Sequence, residues 1–270
     1  NFEYNVQSLF VVLMLTRGVA PCLPAWPIVE IKLQGKYDGY ETDDFIAFAQ
    51  EPNTERRAKL LAQIKRDIRV TAGDDKFADV IKAMWADFGL ADFNRTLDSI
   101  ALITGPISST DCTGVRSLLH FARTSASSSE FHKKMGTSSF ASDLQREKLQ
   151  VFRGHLMAAN DGNDVTEEEL WQFLCRFHLV GYDLEFPYGS ALSLLASLVM
   201  PYGHSDVEGL LNTIKNAVSW HDQAAGTMNS ATLPLRISEL FQEKVVEEII
   251  PVEFAPPPSH SGPIEIPDDT

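Results

Sequence analysis

The sequence is poor in cysteine and contains no long apolar run. Its three cysteines, Cys22, Cys112 and Cys175, are far apart and have no CxxC spacing. This excludes a disulfide framework and a thiolate zinc site, and a reducing, cytoplasmic setting is the default. The apolar run 9–15 is too short to span a bilayer and lacks the flanks of a signal peptide, so we expect no membrane association.

Two common catalytic patterns are also missing. The seven histidines show no HExxH or other paired spacing, so each is expected to be structural or exposed rather than a metal ligand. There is no GxxxxGK[ST] pattern, which excludes nucleotide hydrolysis by a P-loop within this segment.

Positive charge is scarce, because the formal net charge of the chain is −14. That balance counts against a protein that coats nucleic acid without specificity. One window, 55–71, is nevertheless basic, and its cations are Arg56, Arg57, Lys59, Lys65, Arg66 and Arg69. Such a strip can attract phosphates, and it can equally be a charged strand edge that prevents aggregation. The sequence leaves both interpretations open.

What the chain does have is enough apolar material for a sizeable core, since 44% of its residues are hydrophobic. The pattern predicts a buried helix over 2–16 with Gly18 as its stop, a strand over 28–34 and two further strands over 45–49 and 60–65. These three consecutive strands are expected to form an antiparallel meander. A helix capped by Asp74 or Asp75 follows, and then a strand over 99–105 that can join the sheet in parallel.

The second half of the chain is predicted to be mainly helical. Helices are expected over 112–124, 142–158, 166–177, 190–200 and 207–220, with one more strand over 179–186. Thr166 and Glu169 have the spacing of a capping box. The fold class is therefore α/β: a small mixed sheet flanked by helices, with a mainly helical C-terminal half.

The predicted organisation has three parts. Residues 1–125 form the α/β unit, 126–250 a helical extension and 251–270 a proline-rich linker or tail. The chain begins at Asn1 rather than at a methionine, and together with the linker this leads us to expect that it is a piece of a longer protein.

Candidate chemistry lies where the second and third strands meet. Asp43 and Asp44 stand directly before one strand, and Gln63 and Lys65 lie two apart on the next, so their side chains face the same way. A hard cation such as Mg²⁺ prefers oxygen ligands, which Asp44 and the Gln63 carbonyl can supply. Lys65 can then orient a water or stabilise charge on a phosphate. Alternatively, the aspartates are turn residues and Gln63 and Lys65 lie on a solvated face.

These residues resemble the D…(E/Q)xK core of the PD-(D/E)xK, restriction-endonuclease-like superfamily. More narrowly, Phe2-Glu3-Tyr4, Gly39-Tyr40-x-Thr42-Asp43-Asp44-Phe45-Ile46 and Leu61-Ala62-Gln63-Ile64-Lys65 look like the double-stranded-DNA nuclease effectors of prokaryotic anti-phage systems, of the CBASS, Lamassu and antiviral STAND ATPase types. The resemblance covers roughly residues 1–125. Gln63 stands where many members have glutamate, which removes one negative charge from the site.

The resemblance implies a metal-dependent DNA endonuclease effector domain with Mg²⁺, or Mn²⁺, as its cofactor. It implies Asp44 and Gln63 as metal ligands, Asp43 and Glu3 as further ones, and Lys65 as the catalytic lysine. Double-stranded DNA would be the partner, with self-association through an adjoining sensor or ATPase domain. The alternative from another class is a catalytically inactive nuclease-like scaffold that mediates assembly.

Overall fold

Six strands form one mixed sheet in the computed structural model, which describes residues 2–186 and 188–242. The strands are β1 Ile28–Leu33, β2 Phe45–Gln50, β3 Arg57–Ile64, β4 Ser99–Thr104, β5 Phe177–Gly181 and β6 Thr227–Asn229. Their order across the sheet is β5-β4-β3-β2-β1-β6. The pairs β6–β1, β1–β2 and β2–β3 are antiparallel, whereas β3–β4 and β4–β5 are parallel. The predicted mixed α/β class is confirmed.

Helices cover both faces of this sheet. They are α1 Phe2–Leu15, α2 Asp75–Phe88, α3 Ser109–Asp111, α4 Ser117–Arg123, α5 Ser128–Gly136, α6 Asp143–Ala159, α7 Glu167–Arg176, α8 Ser190–Val199, α9 Val207–Gln223 and α10 Leu235–Ser238. Helices α1, α8, α9 and α10 pack on one face, and α2 and α4–α7 pack on the other. Within the described part of the chain, no helix has both the length and the apolar character needed to cross a membrane.

Strand β3 shows why both faces must be covered. Leu60, Ala62 and Ile64 point to the α1–α9 side, while Leu61 points to the α2 side. Because successive side chains of a strand alternate between faces, the apolar residues at both parities place β3 in the interior. The face that carries Gln63 is therefore covered, with Gln63 only 8% exposed, so it is not a solvated face.

Several predicted elements are confirmed by the structure. Strands β1 to β3 form an antiparallel meander, and β4 joins β3 in parallel after the α2 crossover. The Asp74 side chain accepts a hydrogen bond from the Phe77 N–H at 2.9 Å and caps α2. Thr166 and Glu169 form the predicted capping box at the start of α7.

Helix α1 ends in a different way from the one predicted. It stops at Leu15, and the residue in the left-handed conformation is Arg17, with φ of 55°, rather than Gly18. The Gly18 N–H donates to the Leu13 carbonyl at 2.6 Å. A Cβ at Gly18 would lie 3.1 Å from the Leu13 carbonyl oxygen, so a glycine is favoured here by close approach and not by its own φ.

Other differences come from pairing that local patterns do not encode. The strand predicted over 179–186 is instead Phe177–Gly181, because these are the residues that pair with β4. Helix α5 was missed because its serine-rich start looks like a loop, although the Ser127 side chain caps it. Strand β6 was missed because it is three residues long and exists through its pairing with β1.

The single sheet also crosses the predicted boundary at residue 125. Strands β5 and β6 come from the segment expected to be a helical extension, yet both belong to the same sheet as β1–β4. They do so because a sheet edge offers unpaired backbone groups to a strand from any part of the chain. The linker predicted over 251–270 lies outside the described residues.

Removing side-chain volume from the β3 face under α1 should destabilise the protein. Ile64 is 5% exposed, and Ile64→Ala would leave a cavity costing about 2–5 kcal/mol of unfolding free energy. Leu194, which is 68% exposed on α8, is the control, and Leu194→Ala should change stability by no more than about 0.5 kcal/mol. Urea denaturation of both variants checks this; equal losses would contradict the assignment of Ile64 to the core.

Candidate functional site

The loop before β2 is held in place by helix α2. The Asp87 carboxylate, 1% exposed, accepts the backbone N–H groups of Glu41 and Thr42, both at 2.7 Å. The Gly35 N–H donates to the Asp43 carbonyl at 2.8 Å, and a Cβ at Gly35 would lie 2.3 Å from the Thr42 carbonyl oxygen. These contacts fix where the chain enters β2, and they therefore fix the position of Asp44.

Asp44, Gln63 and Lys65 come together at the junction of β2 and β3. Gln63 Nε2 donates to Asp44 Oδ2 at 3.0 Å, and the Ile64 backbone N–H donates to the same oxygen. Lys65 Nζ lies 3.5 Å from it, in an ion pair whose lysine side chain is 34% exposed. All three side chains thus lie on the α2 side of the sheet, as their spacing predicts. Their roles in catalysis and metal binding stay predictions.

The position of Asp44 follows from the β2–β3 register. Phe45 pairs with Ala62, so the residue before Phe45 faces the residue after Ala62. A shift of one residue would move Gln63 and Lys65 to the other face of the sheet. The pKa of Asp44 is raised, because burial outweighs the opposing hydrogen bond from Ile64 and the charge of Lys65.

Asp43 does not share the position of Asp44. Its side chain lies 3.4 Å from Lys36 Nζ, and its backbone N–H donates to Gln63 Oε1 at 3.5 Å. Asp43 still lines the same cavity, but it faces Lys36 rather than the oxygen that Gln63 and Lys65 contact. The role of Asp43 as a further metal ligand stays a prediction.

Glu3 reaches the cluster from α1, on the other face of the sheet. The link is Gln7, whose Nε2 donates to the Asp44 carbonyl oxygen at 3.1 Å and to Glu3 Oε1 at 3.4 Å. Gln7 is fully buried, and its Oε1 has no hydrogen-bond partner among the described residues. Sequence reasoning missed Gln7; its signal was a glutamine one turn after Glu3 within an otherwise apolar helix.

The donor set can be tested against a divalent cation. Within the described residues, no three His, Cys, Asp or Glu side chains are grouped closely enough to hold a metal. Asp44 directs Oδ2 to three donors, so Oδ1 remains for a cation, and the Gln63 amide must turn over to present its oxygen there. Mg²⁺ commonly takes one or two carboxylates and fills its other positions with waters and substrate phosphates. The residues fit such an open site and do not form a closed one.

A cavity of about 640 Å³ opens in front of these residues. Its charged lining is mixed: Lys36, Glu41, Asp43, Asp44, Lys65, Asp79 and Lys82. The cavity thus presents three lysine ammonium groups among four carboxylates. The volume lies in the range of small-ligand pockets, roughly 300–1,000 Å³.

The basic strip predicted over 55–71 is not a continuous surface. Lys59 is 6% exposed, and its Nζ contacts Asp92 Oδ2 at 2.6 Å and Tyr40 Oη at 3.2 Å. Arg66 pairs with Glu185 at 2.9 Å. Because a strand alternates, Lys59 points under α2 while other members of the strip lie at the two ends of β3. The basic residues of this window therefore make separate contacts, and nearby acids neutralise most of their charges.

Among known proteins, the comparisons find similarity to solved structures only. No protein-family model matches the sequence, and no curated protein matches it. The Acinetobacter baumannii Cap4 SAVED/CARF-domain containing receptor with the cyclic trinucleotide 3'3'3'-cAAA is similar, with a TM-score of 0.46, 12% identity, and coverage of 84% of this chain and 44% of that one. The Moraxella osloensis Cap4 SAVED/CARF-domain containing receptor has a TM-score of 0.40 and 11% identity over 85% of this chain and 45% of that one. The chain spans less than half the length of these structures.

These comparisons contradict the predicted family and function. The structures are named as SAVED/CARF-domain containing receptors, and none of them is named as a PD-(D/E)xK nuclease. The prediction of a superfamily member that acts as a double-stranded-DNA nuclease effector is therefore wrong, and double-stranded DNA as its partner loses support. The inactive nuclease-like scaffold gains no support either. The physical reason is that a carboxylate near Gln-x-Lys is a short pattern which unrelated sheets can produce. The anti-phage setting and the adjoining domain stay predictions.

The acidic crowding at Glu3 predicts a pH dependence of stability. The pKa of Glu3 is raised from 4.5 to about 7 by burial and then by the charges of Asp44, Asp222 and Asp43, which Lys65 opposes. Between these two pH values the unfolded chain loses the Glu3 proton while the folded chain keeps it. The free energy of unfolding should therefore fall as pH rises through this window.

Glu3→Gln is the matched variant, because it keeps the side-chain size and removes the titration. Urea denaturation of both proteins in chelator, at several pH values from 4.5 to 7, should show a decline in the wild type that is reduced in Glu3→Gln. Parallel stability profiles for the two proteins would contradict the expected titration.

Proposed function

We propose that the Asp44 cluster binds a divalent cation, Mg²⁺ or Mn²⁺, together with a small phosphodiester and hydrolyses that ester. The observation that carries the proposal is the convergence of Asp44, Gln63 and Lys65, with Lys65 Nζ 3.5 Å from Asp44 Oδ2. A buried carboxylate, an amide and an ammonium at one point are the groups needed to hold a cation and a phosphate side by side. The enzyme class is thus a metal-dependent phosphodiester hydrolase.

Asp44 and Gln63 would hold the cation. When bound, it would polarise the phosphoryl oxygen and acidify a water for attack on phosphorus. Gln63 is buried, so its side chain loses little further freedom when its amide turns over to present the oxygen to a cation. The pKa of Glu3 is raised first by burial and then by neighbouring carboxylates, and a cation here would relieve the second of these effects.

Lys65 would stabilise the negative charge that grows on the phosphate. Its ammonium faces a cavity that Lys36 and Lys82 also line, so a phosphate beside Asp44 has cations on several sides. In hydrolysis the bond from the water oxygen to phosphorus forms, one phosphorus–oxygen ester bond breaks, and the charge builds on the oxygens between them. A fixed cation that meets this charge lowers the barrier more than it stabilises the bound ester.

The cavity volume sets the class of substrate. About 640 Å³ accommodates a ligand of nucleotide size rather than a folded polymer. The Asp87 clamp on the 41–42 backbone keeps the carboxylate-bearing side of this cavity in place. A small phosphodiester is therefore the substrate we propose.

Cation binding should depend on Asp44. In isothermal titration calorimetry with Mn²⁺, Asp44→Asn should weaken binding by more than about tenfold, since even outer-shell partners typically contribute that much. Asp67→Asn removes a carboxylate that is 88% exposed two residues after Lys65, and it should bind as the wild type does. Equal loss in both variants would show that the metal responds to net charge and not to this site.

Hydrolysis should depend on Lys65. With bis(p-nitrophenyl) phosphate and Mn²⁺, Lys65→Gln should lower the rate of nitrophenolate release by about 100-fold or more while the protein keeps its thermal melting temperature. Lys133→Gln, an exposed lysine on α5, is the matched control and should retain wild-type activity. Full activity in Lys65→Gln, or no metal-dependent release by wild type, would overturn the proposal.

A further inference from the structure

A cluster of arginines lies beside β5, an outer strand of the sheet, which β4 separates from the β3 strand of the Asp44 cluster. Arg95, Arg123 and Arg176 line a cavity of about 590 Å³, and Arg116 and Arg123 line an adjoining one of about 380 Å³. The two cavities share Arg123 and run beside β5. We call them together the β5 groove. Its four arginines come from distant parts of the sequence, which is why no sequence motif identified the groove.

The β5 groove contains no carboxylate among the residues that line its two cavities. Its guanidinium groups donate to neutral acceptors instead. Arg123 Nη1 contacts the Phe177 carbonyl at 3.0 Å, and Arg176 Nη1 contacts the Thr96 carbonyl at 3.2 Å. Neutral acceptors orient a guanidinium without cancelling its charge, so the groove keeps its positive charge.

Nearby carboxylates are engaged elsewhere. Glu168 Oε1 accepts from Gln172 at 2.6 Å, and Glu169 accepts from Thr166 in the capping box of α7. By contrast, the buried lysines of the chain each have an acid within the described residues: Lys59 has Asp92, and Lys148 lies 3.4 Å from Asp111. The four arginines of the groove form no ion pair within 4.0 Å among the described residues, although the charge of Arg95 acts on Glu169 at longer range. In a chain of net charge −14, this absence of close acids differs from the pattern at the buried lysines.

The pKa values of groups beside the arginines are consistent with a positively charged groove. Burial, and then the charges of Arg123 and Arg176, lower the pKa of His178 to about 3, so this histidine adds no charge of its own. Burial raises the pKa of the Cys22 thiol to about 12, which excludes thiolate chemistry in the groove. What remains is a fixed array of guanidinium groups, the type of donor best suited to phosphate oxygens.

We propose that the β5 groove binds a chain of phosphates. Its elongated course beside a strand fits a linear ligand with several charges better than a single anion, because the arginines are distributed along both cavities. The same chemistry is presented by a single nucleic-acid strand and by inorganic polyphosphate. Trp171, which lines the larger cavity, distinguishes them, since a base can stack on an indole whereas a phosphate cannot.

This site is separate from the proposed hydrolytic site. Ser99 and His178 place the larger cavity near the first residues of β4 and β5, while Gln63 and Lys65 lie at the end of the parallel strand β3. Arginines on an outer strand can also serve to prevent pairing with another sheet. That alternative predicts no phosphate affinity, which makes the two explanations separable by a binding measurement.

The test is fluorescence anisotropy with a labelled thymidine oligonucleotide of roughly a dozen residues, in chelator so that no divalent cation contributes. Four phosphate contacts to a single strand predict a slope of about −3 for log K against log salt concentration. The variant R95Q/R116Q/R176Q should reduce this slope to about −1 and abolish most binding at low salt. Arg123 is retained there because it also contacts the β5 backbone.

The matched control is R56Q/R57Q/R69Q, which removes the same charge from exposed arginines of the 55–71 window. It should bind as the wild type does. Competition with inorganic polyphosphate, and quenching of Trp171 fluorescence by the oligonucleotide alone, identify which source of phosphate is preferred. No binding by wild type, or equal loss in the two triple variants, would overturn the proposal.

Discussion

The antiparallel pairing of β2 with β3 is the constraint on which the candidate site depends. Because Phe45 pairs with Ala62, the residue before β2 lies beside the residues at the end of β3. The Asp44 carboxylate then receives the Ile64 N–H, the Gln63 amide and the Lys65 ammonium together. One polar group thus closes the end of a hairpin whose neighbouring strand residues, Phe45, Ile46, Leu61 and Ala62, are apolar and fully buried.

Burial changes the ionisation of the carboxylates in this cluster. A carboxylate between the helices that cover the two faces of the sheet loses hydration, which is why burial raises the pKa of both Asp44 and Glu3. The cost is offset by fixed donors at Asp44, and Asp87 secures the preceding loop with two backbone hydrogen bonds. Polar groups held in this way are preorganised, which is the property that binding and catalysis exploit.

Charge in this protein is organised by tertiary contacts rather than by composition. The one basic window in the sequence divides into separate ion pairs, because strand alternation and the two ends of β3 take its members apart. Four arginines gather instead beside β5, from α4, the helical turn before it, the end of α7 and one loop, and no acid lines their two cavities. An acidic chain can therefore contain a positively charged groove, so a negative net charge alone does not exclude a local site for anions.

The sequence by itself determined most of the elements. The meander, the Asp74 cap, the parallel entry of β4 and the shared face of Gln63 and Lys65 all follow from periodicity, capping and alternation, which are local properties. The same local logic identified the Asp44 cluster but misassigned its family, since a short pattern does not identify a fold relative. Tertiary structure alone decided the Gln7 link to Asp44, the membership of β5 and β6 in the sheet, and the β5 groove. Each of these joins residues tens to hundreds of positions apart, and such contacts depend on how the layers pack rather than on any repeat within the chain.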